Sequence, residues 1–284
     1  MVTTPDLLAC ANFTFPLLPF DAALNLIAAL QFDGVDLGLF NGSSHLDPER
    51  ILAEAPSSAV ALSAKMSSRN LKVADLFVVP GAGFEALAPN HPDAAERARS
   101  RDCYRRAVDL AVQIDAGHLT MLPGVLFADE SEQSSFARSA EELAWRVEVA
   151  AEAGIPFGVE PHIGSIAATP HDAQALIEAT PGLSLTLDYG HFISQGFASD
   201  EIEPLIRFAS HFHARCAAPG RLQCSSTQNT VDFQRVIRVM AEQNYRGAIG
   251  VEYVWIDWQQ CNEVDNLSET ILLRDLIREA MEDA

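Results

Sequence analysis

Short runs rich in β-forming residues alternate eight times with longer amphipathic stretches, and this alternation constrains the fold more than any other feature of the chain. The runs are apolar enough to be buried on both faces, as the strands of a parallel sheet are. We predict strands at Leu7–Ala11, Gly34–Leu37, Lys72–Val78, His118–Met121, Pro156–Glu160, Ser184–Asp188, Ser210–His213 and Ala248–Glu252. We predict helices at about 18–31, 48–66, 93–115, 132–153, 171–179, 200–208, 232–243 and 266–282.

Eight strand–helix pairs in 284 residues predict a closed (β/α)8 barrel of the TIM type, because such barrels typically need about 250 residues. A doubly wound sheet would need about five or six strands and a glycine-rich first turn, and no Gly-x-Gly-x-x-Gly follows the first predicted strand. Gly34, Gly154, Gly182 and Gly247 lie where helices are expected to end, just ahead of predicted strands. The sequence contains no low-complexity linker, so residues 1–284 are expected to form a single α/β domain.

The charge of the chain bears on its partners. Asp and Glu number 39 and Lys and Arg 19, which gives a net charge of −20. Such a surface repels both nucleic-acid phosphates and anionic lipids, so we expect no nucleic acid and no membrane as a partner. The five cysteines are widely spaced and form no Cys-x-x-Cys, a pattern typical of reduced thiols. Without a basic leader or an apolar run of about 18 residues, the protein is expected to be cytoplasmic.

Polar side chains end the last four predicted strands. Glu160, Asp188, His213 and Glu252 each close an apolar run, about one strand–helix unit apart. The carboxyl ends of barrel strands meet at one rim, so three carboxylates and an imidazole are expected to converge there. Carboxylates packed together repel one another unless a cation lies among them. These hard donors suit one divalent metal ion, with Mn²⁺ our first choice and Mg²⁺, Co²⁺ or Fe²⁺ as alternatives.

Several motifs in this half of the chain resemble the xylose-isomerase-like barrels, a superfamily of sugar isomerases, epimerases and dehydratases. They are Val-Glu160-Pro-His162-Ile-Gly-Ser165, Asp188-Tyr-Gly-His191, His211-Phe-His213 and the closing run from Val-Asp232-Phe233 through Asn-Tyr245-Arg-Gly247 to Val-Glu252. In the ketose 3-epimerases, which look similar, a Glu, an Asp, the second His of a His-x-His and a final Glu bind the metal. The resemblance covers most of the chain and implies Glu160, Asp188, His213 and Glu252 as ligands.

The resemblance also implies a reaction: proton transfer at the carbon next to a carbonyl of a small-molecule carbohydrate. A metal ion polarises the carbonyl and stabilises an enediolate as the proton leaves. Glu160 and Glu252 are the expected catalytic bases on the two faces of that carbon. His191 matches a histidine of these enzymes, and we expect it to bind the substrate together with His162, which enters the site from the loop.

Two departures from the ketose 3-epimerases concern the substrate. Those enzymes have a second Glu six residues after the first ligand and an Arg six residues after the metal-binding His, whereas this chain has Ile166 and Pro219. A simple ketohexose is therefore not the expected substrate. Arg215 and Arg221 lie nearby in the sequence, and Pro219-Gly-Arg221 is similar to a stretch of hydroxypyruvate-isomerase-like proteins. We expect these arginines to bind a carboxylate or hydroxyls of the substrate.

An isomerase or epimerase is the leading prediction, and a dehydratase or lyase acting on a keto-sugar or inosose is the alternative, since both form the same enolate. A hydrolase like the apurinic endonucleases needs further ligands on the early strands and a basic groove. A barrel that binds sugar without turnover would bind metal but exchange no proton at carbon. A Schiff-base aldolase is disfavoured because neither Lys65 nor Lys72 lies at the predicted rim. Dimers or tetramers are common among similar proteins, so a homo-oligomer is compatible with the resemblance.

Overall fold

The computed structural model describes residues 7–283, and their eight parallel strands form one closed barrel in chain order. The strands are β1 Leu8–Ala11, β2 Gly34–Phe40, β3 Lys72–Val79, β4 Leu119–Met121, β5 Phe157–Val159, β6 Ser184–Asp188, β7 Ala209–Ala214 and β8 Ile249–Val251. β8 pairs with β1 and so closes the barrel. The prediction of a (β/α)8 barrel is confirmed, since each strand matches one predicted run.

Helices surround the strands and are mostly capped by side chains that the sequence provides. They are α1 Phe20–Ala29, α2 Pro48–Ala53, α3 Ala55–Ser67, α4 Ala94–Gln113, α5 Glu132–Ala153, α6 Pro170–Ala179, α7 Tyr189–Ser194, α8 Ser199–Ile202, α9 Phe233–Glu242 and α10 Asn266–Glu282. Asp93, Ser131 and Thr169 each accept a hydrogen bond from a backbone N–H in the first turn of the following helix. Gly154 ends α5 in the left-handed conformation, as its position predicted.

Two predicted helices are divided, in both cases beside a proline. The helix predicted at 48–66 breaks at Glu54, because Pro56 has no N–H to continue the hydrogen-bond ladder and begins a new helix. The helix predicted at 200–208 continues beyond α8 as a 3-10 turn, Glu203–Phe208, that contains Pro204. The short helix α7, directly after Asp188, was not predicted.

Polar side chains fill much of the barrel interior, whereas branched apolar residues fill the interior of most TIM barrels. They are Asp36, Asp75, His118, Thr120, Thr186 and His211, and all are buried. Glycines make the space for them: a Cβ added at Gly250 would lie 1.8 Å from Oδ2 of Asp36. The apolar core lies instead between the strands and the helices.

Two further findings concern the helices and the cysteines. Between residues 7 and 283, no helix has both the length and the apolar character needed to cross a bilayer. All five cysteines are free, and four of them are buried. Burial raises the pKa of the Cys103 thiol to about 11, so this thiol is poorly reactive at neutral pH.

Candidate active site

The four predicted metal ligands meet at the carboxyl ends of β5 to β8. Asp188 and His213 belong to β6 and β7, while Glu160 and Glu252 are the residues directly after β5 and β8. The backbone N–H of Glu160 still donates to Met121, and that of Glu252 donates to Ala214, so both glutamates remain anchored to neighbouring strands. All four side chains are buried.

His213 lies between the two glutamates. Its Nδ1 is 2.6 Å from Oε1 of Glu160 and 2.6 Å from Oε2 of Glu252. Candidate ligand atoms of these three residues all lie within 4.8 Å of one another. Glu160 also forms such a group with Asp188 and His191, so His191, which the sequence predicted to bind the substrate, lies beside the ligand set. The two groups share Glu160, so a compact cluster of donors surrounds this carboxylate.

The donors fit a divalent metal ion. Oδ2 of Asp188 and Oε2 of Glu252 are buried and make no regular hydrogen bond, although Nη2 of Arg215 lies 2.5 Å from the first and Nδ1 of His213 lies 2.6 Å from the second. Buried carboxylate oxygens without regular hydrogen bonds are costly, and coordination to a metal ion would remove that cost. Three carboxylates and one imidazole are also the hard donor set that such ions prefer.

Arg215 places a permanent cation in this cluster. Its side chain is 3% exposed, and Nη2 donates to Oε1 of Glu252 at 2.7 Å and lies 2.5 Å from Oδ2 of Asp188. The sequence predicted Arg215 and Arg221 as substrate-binding residues, and the structure separates them. Arg221 has a 40% exposed side chain that pairs with Glu263 at 2.5 Å. The structure therefore brings Arg215, but not Arg221, to the site.

The two glutamates differ in protonation. Burial, reinforced by the charge of Glu252, raises the pKa of Glu160 from 4.5 to about 7. Burial acts on Glu252 in the same direction, but the charges of Arg215 and His213 outweigh it and lower the pKa of Glu252 to about 2. In the metal-free protein, Glu252 is therefore ionised near neutral pH, whereas Glu160 exchanges a proton with solvent in that range.

His162 and His191 lie beside the cluster as neutral imidazoles. Burial lowers the pKa of His162 to about 4, and burial with the nearby Arg215 charge lowers that of His191 well below its usual range. Nδ1 of His162 donates to the carbonyl oxygen of Ile163, so its buried and unpartnered Nε2 must carry a lone pair. This atom is a ready acceptor for a hydroxyl group.

A cavity of about 190 Å³ lies above the carboxylates, with space for about six water molecules at roughly 30 Å³ each. Its polar side chains are Asn41, Ser43, Glu160, His162, His191, Arg215 and Glu252. Its remaining wall is largely apolar and includes Phe40, Phe77, Val79, Phe84, Leu122, Val254, Ile256 and Trp258. This lining suits a small molecule with a polar and an apolar side.

The aromatic side chains of this wall come from separate parts of the chain. Phe40 is the last residue of β2, Trp258 follows β8, and the long loop after β3 also reaches the wall. That loop contributes Phe84, whose ring centroid is 4.4 Å from that of His162 and 5.8 Å from that of Trp258. The length of the loop was the signal, but no local pattern identified Phe84 within it.

A larger cavity, of about 930 Å³, opens at the opposite end of the barrel. Its described lining includes Lys72, Arg207 and Arg246, with Asp115 as the single acidic residue. It lies at the amino ends of the strands, whereas barrel enzymes carry their chemistry at the carboxyl ends. We therefore assign the candidate site to the smaller cavity.

Comparisons with known proteins agree with this architecture. A D-tagatose 3-epimerase-like protein has a TM-score of 0.74 at 18% identity, with 98% of this chain and 99% of that chain covered. A D-psicose 3-epimerase from Clostridium cellulolyticum H10, solved with D-tagatose, has a TM-score of 0.75 at 14% identity, covering 97% and 99%. The probable 3-DHS dehydratase AsbF from Bacillus anthracis has a TM-score of 0.68 at 12% identity, covering 94% and 98%.

At identities this low, the structural similarity establishes a shared fold and no more. The chain matches no curated protein sequence. The family described as xylose isomerase-like TIM barrel, however, matches residues 24–276 and therefore nearly the whole barrel. This protein belongs to the xylose isomerase-like TIM barrel family.

Proposed function

We propose that the protein is a divalent-metal-dependent isomerase or epimerase of a sugar or sugar derivative, acting by proton transfer at the carbon next to a carbonyl. The observation that carries this proposal is the pair Glu160 and Glu252. Both face one small cavity beside a metal-compatible cluster, and their pKa values are moved in opposite directions. Sugar epimerases among the similar structures support the same class of reaction.

The residues would divide the reaction between them. Glu160, Asp188, His213 and Glu252 would hold one metal ion, Mn²⁺ by preference, and the ion would polarise the substrate carbonyl. Glu252, the more acidic of the two in the metal-free protein, would accept the proton, and Glu160 would return one on the other side of that carbon. The two exchange these roles in the reverse direction.

The substrate would be held by three neutral or cationic groups. Nε2 of His162 accepts a hydroxyl hydrogen bond, and His191 lies close enough to Asp188, at 3.6 Å, to bind an oxygen or orient that carboxylate. Arg215 has donors beyond those that reach Asp188 and Glu252, and these suit a substrate oxygen. Arg221 has no part in this arrangement, because its side chain is paired with Glu263.

The substrate is proposed to differ from a simple ketohexose. Ile166 is buried and Pro219 is exposed, and neither lines the cavity, so neither replaces the Glu and Arg of the ketose 3-epimerases. The strongly acidic chain and its reduced cysteines favour a cytoplasmic enzyme, alone or as a homo-oligomer, with no nucleic-acid or membrane partner.

A dehydratase is the second candidate. Glu160 faces the cavity and would donate a proton to a departing hydroxyl, and a probable dehydratase shares the fold. Both reactions begin with the same loss of a proton, so the product distinguishes them.

The test starts with protein purified without chelators. We expect about one divalent metal ion per chain by mass spectrometry, lost in a Glu160→Gln/His213→Ala double variant and retained in Arg221→Ala. Sugars and sugar acids are then incubated with the metal-loaded protein in D₂O. Deuterium bound to carbon with no change of composition supports an isomerase or epimerase, and loss of water supports the dehydratase. Absence of metal after reconstitution would refute both.

A further inference from the structure

A second carboxylate lies beneath the cluster, inside the barrel. Asp36 of β2 is fully buried, and its Oδ2 is 3.1 Å from Nε2 of His211 and 3.9 Å from Nε2 of His213. His211 and His213 alternate along β7, and their ring planes are nearly perpendicular, at 87°. Asp36 is thus the carboxylate facing the far side of a predicted metal ligand.

The orientation of the His213 ring decides which of its nitrogen atoms can bind a metal ion and which faces Asp36. Nδ1 faces Glu160 and Glu252, so Nδ1 is the atom available to a metal ion. A neutral imidazole that coordinates through Nδ1 carries its proton on Nε2, and Nε2 of His213 has no hydrogen-bond partner. Histidine ligands usually donate this second N–H to a carboxylate or carbonyl, which fixes the ring.

We infer that Asp36 is the positioning residue for His213: it accepts the Nε2–H of the metal-bound imidazole and is itself held by Nε2–H of His211. This inference rests on the proposed metal site. A movement of about 1 Å closes the gap from 3.9 Å to a hydrogen bond. Oδ1 of Asp36 lacks a partner, so such a movement breaks no hydrogen bond of that atom.

The barrel leaves space for this carboxylate at one particular point. Gly250 of β8 pairs in register with His213, and a Cβ there would lie 1.8 Å from Oδ2 of Asp36 and 3.2 Å from Nε2 of His211. Without a glycine at position 250, the carboxylate could not lie beneath the imidazole.

The same barrel provides a matched control. Asp75 of β3 pairs in register with Asp36, is equally buried, and binds Nδ1 of His118 at 2.7 Å. His118 is not among the candidate metal ligands. A carboxylate that merely fills the barrel with a histidine partner should therefore behave like Asp75.

The experiment compares metal binding by wild type, Asp36→Asn and Asp75→Asn, with Co²⁺ as the probe and a competing chelator to measure the dissociation constant. We expect Asp36→Asn to weaken Co²⁺ binding about 10- to 100-fold and to shift the visible Co²⁺ spectrum. Asp75→Asn is expected to change the affinity less than about threefold and to leave the spectrum unchanged. Equal losses in both variants, or none in Asp36→Asn, would overturn the inference.

Nuclear magnetic resonance of the Zn²⁺-loaded wild type gives a second measurement that needs no folded Asp36 variant. We expect the ¹⁵N signals of His213 to show a metal-bound Nδ1 and a slowly exchanging proton on Nε2. Metal-bound Nε2, or two ions per chain with the second on Asp36, His211 and His213, would overturn the inference. A wild type that binds no metal refutes the proposed function itself, whereas normal binding with an unaffected Asp36→Asn refutes only the positioning role.

Discussion

Replacing Arg215 by Met should destabilise the metal-free protein strongly, because it removes the cation that lies between two buried carboxylates. Nη2 is 2.7 Å from Glu252 and 2.5 Å from Asp188, all three side chains being at most 5% exposed. With charge centres about 4 Å apart and an effective dielectric constant of about 20, each pair contributes about 4 kcal/mol, or about 8 kcal/mol together. Desolvation of the guanidinium offsets several kcal/mol of this attraction, so we expect a loss of about 3–5 kcal/mol.

A bound metal ion should reduce this loss. Without the repulsion of Arg215, the same carboxylates should bind the ion more tightly in Arg215→Met than in wild type, and each tenfold gain in affinity adds about 1.4 kcal/mol to the stability of the saturated variant. The difference in free energy of unfolding between wild type and variant is therefore expected to be smaller in excess Mn²⁺ than in EDTA.

Urea denaturation in EDTA and in Mn²⁺ measures both effects. Arg221→Met is the control, because an exposed ion pair such as that with Glu263 contributes little to stability, with or without metal. An Arg215→Met variant as stable as wild type in EDTA would refute the charge argument. A difference that grows in Mn²⁺ would show instead that Arg215 and the metal act together.

Four further predictions concern the site and its rim. Because the pKa of Glu160 is raised from 4.5 to about 7, a metal ion must displace a proton from it, and the affinity for the metal ion should increase from pH 5 to pH 8. Titration calorimetry measures this affinity, and an affinity that does not change with pH would contradict the prediction. The same shift means that the contribution of Glu160 to metal-free stability is present below about pH 4.5 and is lost as pH rises through 7. His162→Phe keeps the ring contact with Phe84 but removes the Nε2 acceptor, so kcat/KM should fall about 5- to 10-fold with unchanged metal affinity; altered metal binding would argue against a substrate contact. Gln259 has a left-handed backbone with φ of 54°, a conformation that is strained for any residue with a Cβ. Gln259→Gly should therefore raise the free energy of unfolding, measured by urea titration, by about 0.5–1 kcal/mol. A decrease would show that the glutamine side chain stabilises the loop.

The sequence by itself determined the barrel and the floor of its site. Eight apolar runs separated by amphipathic stretches can be recognised from neighbouring residues alone, because the periodicity of strands and helices is a local property of the sequence. Glu160, Asp188, His213 and Glu252 could be grouped because the direction of each strand decides which end its last residue reaches. Even the breaks in two helices were marked by Pro56 and Pro204, although the prediction did not use them.

Only the tertiary structure decided which residues contact the four predicted metal ligands. Arg215 and Arg221 are similar in sequence context, yet one lies between Asp188 and Glu252 and the other pairs with Glu263 at the surface. The contact of Asp36 with His211 joins residues 175 positions apart, and no local pattern encodes such a pairing. The opposite pKa shifts of Glu160 and Glu252 have the same origin, because burial and neighbouring charges depend on distances that exist only once the barrel has closed.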